Sequence, residues 1–319
     1  MSDNAGVSLG TASVLGLAKA KLFEVPTTAH FLLGSGCVND CAFCAQARSS
    51  DSGPHQLSRV TWPEFAWEQI REPLAKAISQ GTFKRVCVQA VECPEGTGSV
   101  LRFVRKVRAL SSKVGISTCV TPYSVSRVTA LLDAGASEVG LPVDAATKDT
   151  YARVKKGPLE KAWDVVLRAG RKYPGKVTTH LIVGLGENEQ EMVESLVKAR
   201  ENGIRVGLFS FTPVRGAAME HWPQPDVSHY RRIQLAAYYL KRGGGADGIE
   251  FLRGRISKIR IPPDMRDGVN QGEPFRTSGC PDCNRPYYNE RPGQIMMNYP
   301  RVLSSDEARR ALEETGLPV

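Results

Sequence analysis

The chain has 319 residues, 41% of them hydrophobic and 24% charged, with a formal net charge of +9 and a pI near 9.2. These values fit a globular protein; no apolar run is long enough to cross a bilayer, and the first ten residues lack the basic and apolar regions of a secretion signal. The expectation is a cytoplasmic protein whose eight cysteines are reduced thiols or metal ligands, and whose positive charge suits an acidic partner, either nucleic acid or an acidic carrier protein.

In chain order, strand-sized apolar segments alternate with amphipathic helical ones. Candidate strands lie at 29–34, 85–91, 114–120, 138–143, 177–183 and 204–211, each holding β-branched or aromatic residues. Thr61-Trp-Pro-Glu64 has the spacing of a capping box, and Gly81 closes the helix predicted after it; Gly135 and Gly203 stop later helices in the same way. A seventh, weaker strand is predicted at 249–252. Six strand-helix units predict an α/β fold, a partial or complete (β/α) barrel rather than a doubly wound sheet. After about residue 260 the pattern becomes a Pro-, Gly- and Arg-rich stretch with Cys280, Cys283 and several aromatics, then a terminal helix from Ser304 or Ser305. The expected organisation is an N-terminal segment (1–28), a barrel (29–260) and an ordered C-terminal extension (261–319) packed on it.

Cys37-Val-Asn-Asp-Cys41-Ala-Phe-Cys44 supplies three thiols directly after the first predicted strand, at the barrel end where active sites occur. Thiolates at this density suit soft metals or iron-sulfur clusters, and a cluster held by three cysteines keeps one iron open for an exchangeable ligand. Asp144 ends the fourth strand, where its carboxylate either accepts from ribose hydroxyls or serves a helix N-cap or loop. His180-Leu-Ile182-Val-Gly184-Leu-Gly186-Glu187 joins the fifth strand to a helix; its glycines allow close approach of backbone to a ligand, and Glu187 favours a helix N-terminus. Arg215, after the sixth strand, either meets an anion or stands exposed in a loop. Of the other cysteines, Cys87, Cys93 and Cys119 are scattered, whereas Cys280-Pro-Asp-Cys283 has a metal-binding spacing that needs partners from elsewhere in the chain.

Together these motifs resemble the radical S-adenosylmethionine superfamily, and more closely its biotin synthase-like branch, over about residues 29–250. The resemblance implies that Cys37, Cys41 and Cys44 hold a 4Fe-4S cluster whose open iron binds S-adenosylmethionine. It further implies that Phe43 lines the adenine site, that Asp144 contacts the ribose, and that Ile182, Gly184 and Glu187 form the adenine-side motif, in which His180 replaces the usual glycine. In such enzymes the cluster reduces the cofactor's sulfonium, with electrons from a donor such as ferredoxin or flavodoxin. The released 5'-deoxyadenosyl radical removes hydrogen from an unactivated carbon.

Cys87 and Cys119 match two of the three cysteines of biotin synthase's auxiliary cluster, with Thr178 at the third position, and no cysteine precedes Cys37, where lipoyl synthase has a further cluster motif. The stretch Phe275-Arg-Thr-Ser278-Gly-Cys280-Pro-Asp-Cys283-Asn-Arg-Pro-Tyr-Tyr-Asn-Glu-Arg-Pro-Gly293 looks like the C-terminal signature of two-component lipoyl synthases. This resemblance implies a sulfurtransferase that acts on an octanoyl-lysine arm of a carrier protein domain together with a second radical enzyme. It also implies a second, auxiliary 4Fe-4S cluster as sulfur donor, held by Cys280, Cys283 and two of Cys87, Cys93 and Cys119. Ser278 either approaches that cluster or serves a turn. The alternatives are a biotin synthase-like enzyme on another substrate, and a nucleic-acid-binding module with zinc at Cys280 and Cys283.

Overall fold

A computed structural model describes residues 4–94, 96–290 and 293–318. The chain opens with β1 (Asn4–Val7) and α1 (Leu9–Val14), followed by β2 (Thr28–Leu33), the short strands β3 (Gln56–Leu57), β4 (Val60–Thr61) and β5 (Glu64–Ala66), and α2 (Trp67–Ser79). Regular units follow: β6 (Arg85–Ala90) and α3 (Gly96–Leu110), β7 (Gly115–Cys119) and α4 (Val125–Asp133), then β8 (Glu138–Gly140) with α5 (Lys148–Lys155) and α6 (Leu159–Lys172). β9 (Val177–Val183) leads to α7 (Glu189–Glu201), and β10 (Arg205–Ser210) to α8 (Val227–Lys241).

The main sheet runs β10-β9-β8-β7-β6-β2-β1-β5. Each of the six predicted strands is present, and β2 with β6 to β10 form one parallel series in sequence order, a partial (β/α) barrel. Side chains alternate along these strands because successive residues of a strand face opposite sides. Ala29, Phe31 and Leu33, Val86 and Val88, and Ile116 pack outward in the core shared with the helices. The intervening His30, Cys87, Ser117 and Cys119 are thereby turned to the inner face.

The sheet also holds two strands that the sequence pattern does not mark. β1 pairs antiparallel with both β2 and β5. That pairing explains why Thr61 and Glu64 make no capping box: Thr61 belongs to β4 and Glu64 to β5, opposite Gly6. The helix instead starts at Trp67, where the Ala66 N–H donates to Gln69 Oε1 at 3.0 Å. The predicted seventh strand, β11 (Ile249–Leu252), lies outside the main sheet and forms an antiparallel hairpin with β12 (Arg255–Ile259). Arg253 and Gly254 both have positive φ, the conformation that tight hairpins require. Gly81, Gly135 and Gly203 follow α2, α4 and α7 with positive φ, as helix-ending glycines do.

After α9 (Pro263–Asn270), the extension builds a small core from Phe275, Tyr299, Leu303, Ala308 and Ala311. It ends in α10 (Ser305–Glu313), with Ser304 and Glu307 forming a capping box. Between these, residues 277–290 span the two ends of the parallel series. At β2, Asn284 Oδ1 accepts from the Thr27 N–H at 3.0 Å; at β10, Ser278 Oγ accepts from the Leu208 N–H at 2.9 Å, and Asn289 Nδ2 donates to the Ser210 carbonyl at 2.6 Å. Arg85 Nε donates to the Pro281 carbonyl at 2.7 Å. Gly279 lies so close to Gly207 that a Cβ on it would stand 3.2 Å from the Gly207 Cα. Arg291 and Pro292 of the C-terminal signature lie outside the described residues. Among the described residues, no helix is long and apolar enough to cross a membrane.

Candidate active site

The three-thiol loop leaves the end of β2 and is tied to the ends of its neighbours. The Val38 N–H donates to the Glu92 carbonyl at 2.8 Å, the Ala42 N–H to the Val154 carbonyl at 2.8 Å, and the Met219 N–H to the Ala42 carbonyl at 3.0 Å. Asp40 pairs with Lys156, and the Asp51 N–H reaches the Gly216 carbonyl at 2.9 Å. Residues after β6, in α5 and after β10 thus hold one loop over the barrel's C-terminal end. Arg215 is exposed in the last of these segments.

Burial raises the Cys41 thiol and pushes Cys44 up to about 12, with repulsion from Cys41 and Cys37 adding to the second. Thiols crowded and desolvated in this way ionise only when a cation neutralises them, and an iron-sulfur cluster supplies that charge. The donor set therefore fits the group. No three His, Cys, Asp or Glu side chains among the described residues converge as a site for a single metal ion. A multi-iron cluster is larger and takes its thiolates from farther apart.

Asp144 lies just past β8 with φ +70°. Its N–H donates to the His180 carbonyl and its own carbonyl accepts from the Ile182 N–H, both at 2.8 Å, which binds it to β9. Its carboxylate meets Lys155 Nζ at 2.5 Å, and that ammonium lies 5.9 Å from the centre of the Phe43 ring. Burial would lower the Lys155 pKa, but the Asp144 carboxylate, with Cys41 behind it, raises it overall. Phe43, Asp144 and Cys41 are thus brought together around a buried cation that the sequence pattern did not single out. Lys155 carries no motif of its own; its partner is eleven residues away, before the helix α5 that carries it.

The β9 motif is shaped by protein neighbours. Gly184 has φ +100°, and an added Cβ would meet Pro225 at 2.8 Å, while Gly186 packs against Arg153. Pro225 and Arg153 occupy the side of these two glycines where a Cβ would stand. Glu187 accepts from the Gly184 N–H at 2.7 Å and the Leu185 N–H at 3.0 Å, closing the turn, and burial pushes its carboxyl up to about 7. Ile182 is half-buried on β9.

A second group of cysteines lies deeper in the barrel. Cys87 is raised well above the ordinary range by burial, and then by the nearby Cys280, Cys283 and Cys119. Cys119 is pushed up to about 12 by burial, then by Asp144 and Cys280, so it stands within electrostatic reach of both the triad end and the tail. Ser117 Oγ donates to Cys280 Sγ at 3.4 Å; His30 Nε2 is 3.9 Å from Cys283 Sγ, and His180 Nδ1 is 3.9 Å from Cys119 Sγ. Burial, with Arg285, lowers His30 to about 3, and burial lowers His180 to about 4, so both rings are neutral. Cys93 stands apart in the loop after β6, against Gly34, where an added Cβ would lie 2.9 Å from its sulfur. Thr178 is buried on β9 beside Gly140. The buried Tyr288 hydroxyl, within electrostatic reach of Cys87 and Cys283, has no hydrogen-bond partner among the described residues. An orphaned donor beside crowded thiols fits a group with sulfur acceptors. The sequence drew attention to neither Tyr288 nor His30 individually.

Residues 31–212 match the family model of the radical SAM superfamily. The chain is 25% identical over 268 residues to the apicoplast lipoyl synthase of Plasmodium falciparum (isolate 3D7), covering 79% of this chain and 57% of that protein. It is 22% identical over 187 residues to the biotin synthase of Leptospira biflexa serovar Patoc, covering 58% and 51%. The match therefore spans little more than half the length of these relatives. In fold it is similar to the FeFe-hydrogenase maturase HydG from Carboxydothermus hydrogenoformans, with a TM-score of 0.54 and 16% identity, over 91% of this chain and 66% of that one. The chain belongs to the radical SAM superfamily, and a lipoyl synthase and a biotin synthase are among the proteins it is similar to.

Proposed function

We propose that this chain is a radical sulfurtransferase that inserts sulfur into an octanoyl-lysine arm of a carrier protein domain, as one half of a two-enzyme lipoyl synthase. The observation that carries the reading is the entry of Cys280 and Cys283 from the tail into the barrel, beside Cys87 and Cys119. When bound, the family's 4Fe-4S cluster and S-adenosylmethionine supply a radical that removes hydrogen from carbon, and an auxiliary 4Fe-4S cluster supplies sulfur. Cys37, Cys41 and Cys44 hold the first cluster; Cys280, Cys283, Cys87 and Cys119 are the ligand set for the second. Phe43, Asp144, Ile182, Gly184 and Glu187 form the cofactor's side of the site, and Lys155 balances charge there. Phe209 and Tyr288, with the neutral His30 and His180, wall the interior and limit water.

The net charge of +9 suits an acidic carrier domain, and a ferredoxin or flavodoxin serves as electron donor. A biotin synthase-like reaction on another substrate is the second reading, favoured by the inward placement of Cys87 and Cys119. Membership of the superfamily leaves the zinc and nucleic-acid reading without an observation in its favour. The test is mass spectrometry of an octanoyl-lysine peptide after anaerobic turnover. The expected gain is one sulfur with this chain alone and two with its partner enzyme. Cofactor cleavage with no sulfur gained in either case would overturn the substrate and favour the second reading.

A further inference from the structure

The signature that carries Cys280 and Cys283 continues into Pro286-Tyr-Tyr-Asn-Glu290, which ligation alone does not explain. Its two tyrosines part company. Tyr287, with φ +60°, meets Phe23 edge-on near the surface, while Tyr288 turns inward and is 7% exposed. Both sides of Tyr288 are anchored. Ser58 Oγ donates to its carbonyl at 2.9 Å, and the following Asn289 is bound to Ser210 on β10 and to Asn298. Its ring packs 5.4 Å from His30, whose Nε2 faces Cys283 Sγ, and edge-on to Trp62 at 6.5 Å. A side chain held this firmly ends in a buried hydroxyl without a partner among the described residues. Buried hydroxyls are almost always paired, so an orphan in an ordered pocket points to an acceptor that belongs there.

The acceptor's chemistry follows from the surroundings. A phenol hydroxyl carries one O–H donor, and that of Tyr288 is buried without a partner among the described residues. The groups within its electrostatic reach are the thiols of Cys87 and Cys283 and the Arg285 cation. Arg285 accepts nothing, and neutral thiols accept weakly; thiolate or sulfide sulfur of a bound cluster accepts strongly. We propose that the Tyr288 hydroxyl donates a hydrogen bond to a sulfur of the auxiliary cluster and thereby sets that cluster's reduction potential. This rests on the reading that the cysteines of the tail and barrel hold such a cluster. Hydrogen bonds to cluster sulfurs favour the reduced state by spreading its added negative charge.

The test uses the full chain with Cys37, Cys41 and Cys44 all changed to Ala, reconstituted anaerobically so that only the auxiliary site takes iron. Iron, sulfide and an EPR-monitored redox titration are then compared with and without Tyr288→Phe. The expected result is equal iron content and a midpoint displaced negatively by about tenfold in the reduction equilibrium, about 59 mV for one electron. A cluster with unchanged potential and unchanged EPR spectrum overturns the role of Tyr288. No cluster in the chain that retains Tyr288 overturns the auxiliary site itself, which separates the two failures. Should the phenylalanine chain fail to fold, 3-fluorotyrosine placed at residue 288 keeps the shape and strengthens the donor. The midpoint must then move positively, and an unmoved midpoint again overturns the proposal.

Discussion

Lys155 and Asp144 show how much of the cofactor end depends on one buried pair. Their side chains are 11% and 10% exposed, and the Asp144 carboxylate is the chief group that offsets the burial of the Lys155 ammonium. Removing one partner of such a pair leaves an uncompensated charge and typically costs about 3–5 kcal/mol. Lys155→Met is expected to destabilise the chain by that amount in chemical denaturation, and adding Asp144→Asn should recover most of the loss. An undiminished loss in the double variant would assign the cost to packing. At this scale the triad was legible because its meaning lies in one short segment: Cys37, Cys41, Cys44 and the intervening Phe43 need no tertiary context to be read. Lys155 was not, because its significance comes from a partner brought up by the turn after β8. Glu187 was read as favouring a helix N-terminus, yet its carboxylate closes the turn at Gly184 and Leu185.

The parallel strands were legible as elements because each carries apolar or β-branched residues over a strand-sized span on the face packed against the helices. The antiparallel additions were not. β1 is only Asn4–Val7, and the edge strand β5 carries Glu64, so neither has an apolar signature. Thr61-Trp-Pro-Glu64 has a helix-start spacing, but pairing of Glu64 with Gly6 claims that backbone for the sheet. The tail is an element in its own right, held by hydrogen bonds to β2 and β10 and by the contact of Gly279 with Gly207. With φ +109° and a Cβ 3.2 Å from the Gly207 Cα, Gly279→Ala is strained in both backbone and packing, at a cost of about 1–3 kcal/mol. The expected outcome is an enzyme that still cleaves S-adenosylmethionine but loses iron from the auxiliary site, as measured by iron analysis and Mössbauer spectroscopy. Full iron retention would show that Cys280 and Cys283 need no docking of the tail on β10.

At the scale of the whole molecule, two thiol groups share one partial barrel: three on a loop tied over the C-terminal end, and four drawn together within by strands β6 and β7 and the returning tail. Cys119 stands within reach of both Asp144 and Cys280, so the two groups border one interior. Sequence spacing marks the triad and the Cys280–Cys283 pair, whereas the approach of Cys87 and Cys119 to that pair depends on a tail about 160 residues beyond Cys119 that contacts both β2 and β10. We propose that this tail completes a second cluster inside the barrel. The most direct measurement is the iron and sulfide content of the anaerobically reconstituted chain beside its Cys280→Ala/Cys283→Ala variant. Two cubane clusters give about eight irons in the parent and one gives about four in the variant, with S-adenosylmethionine cleavage intact in both. About four irons in each, or zinc in place of iron at the tail cysteines, would contradict it.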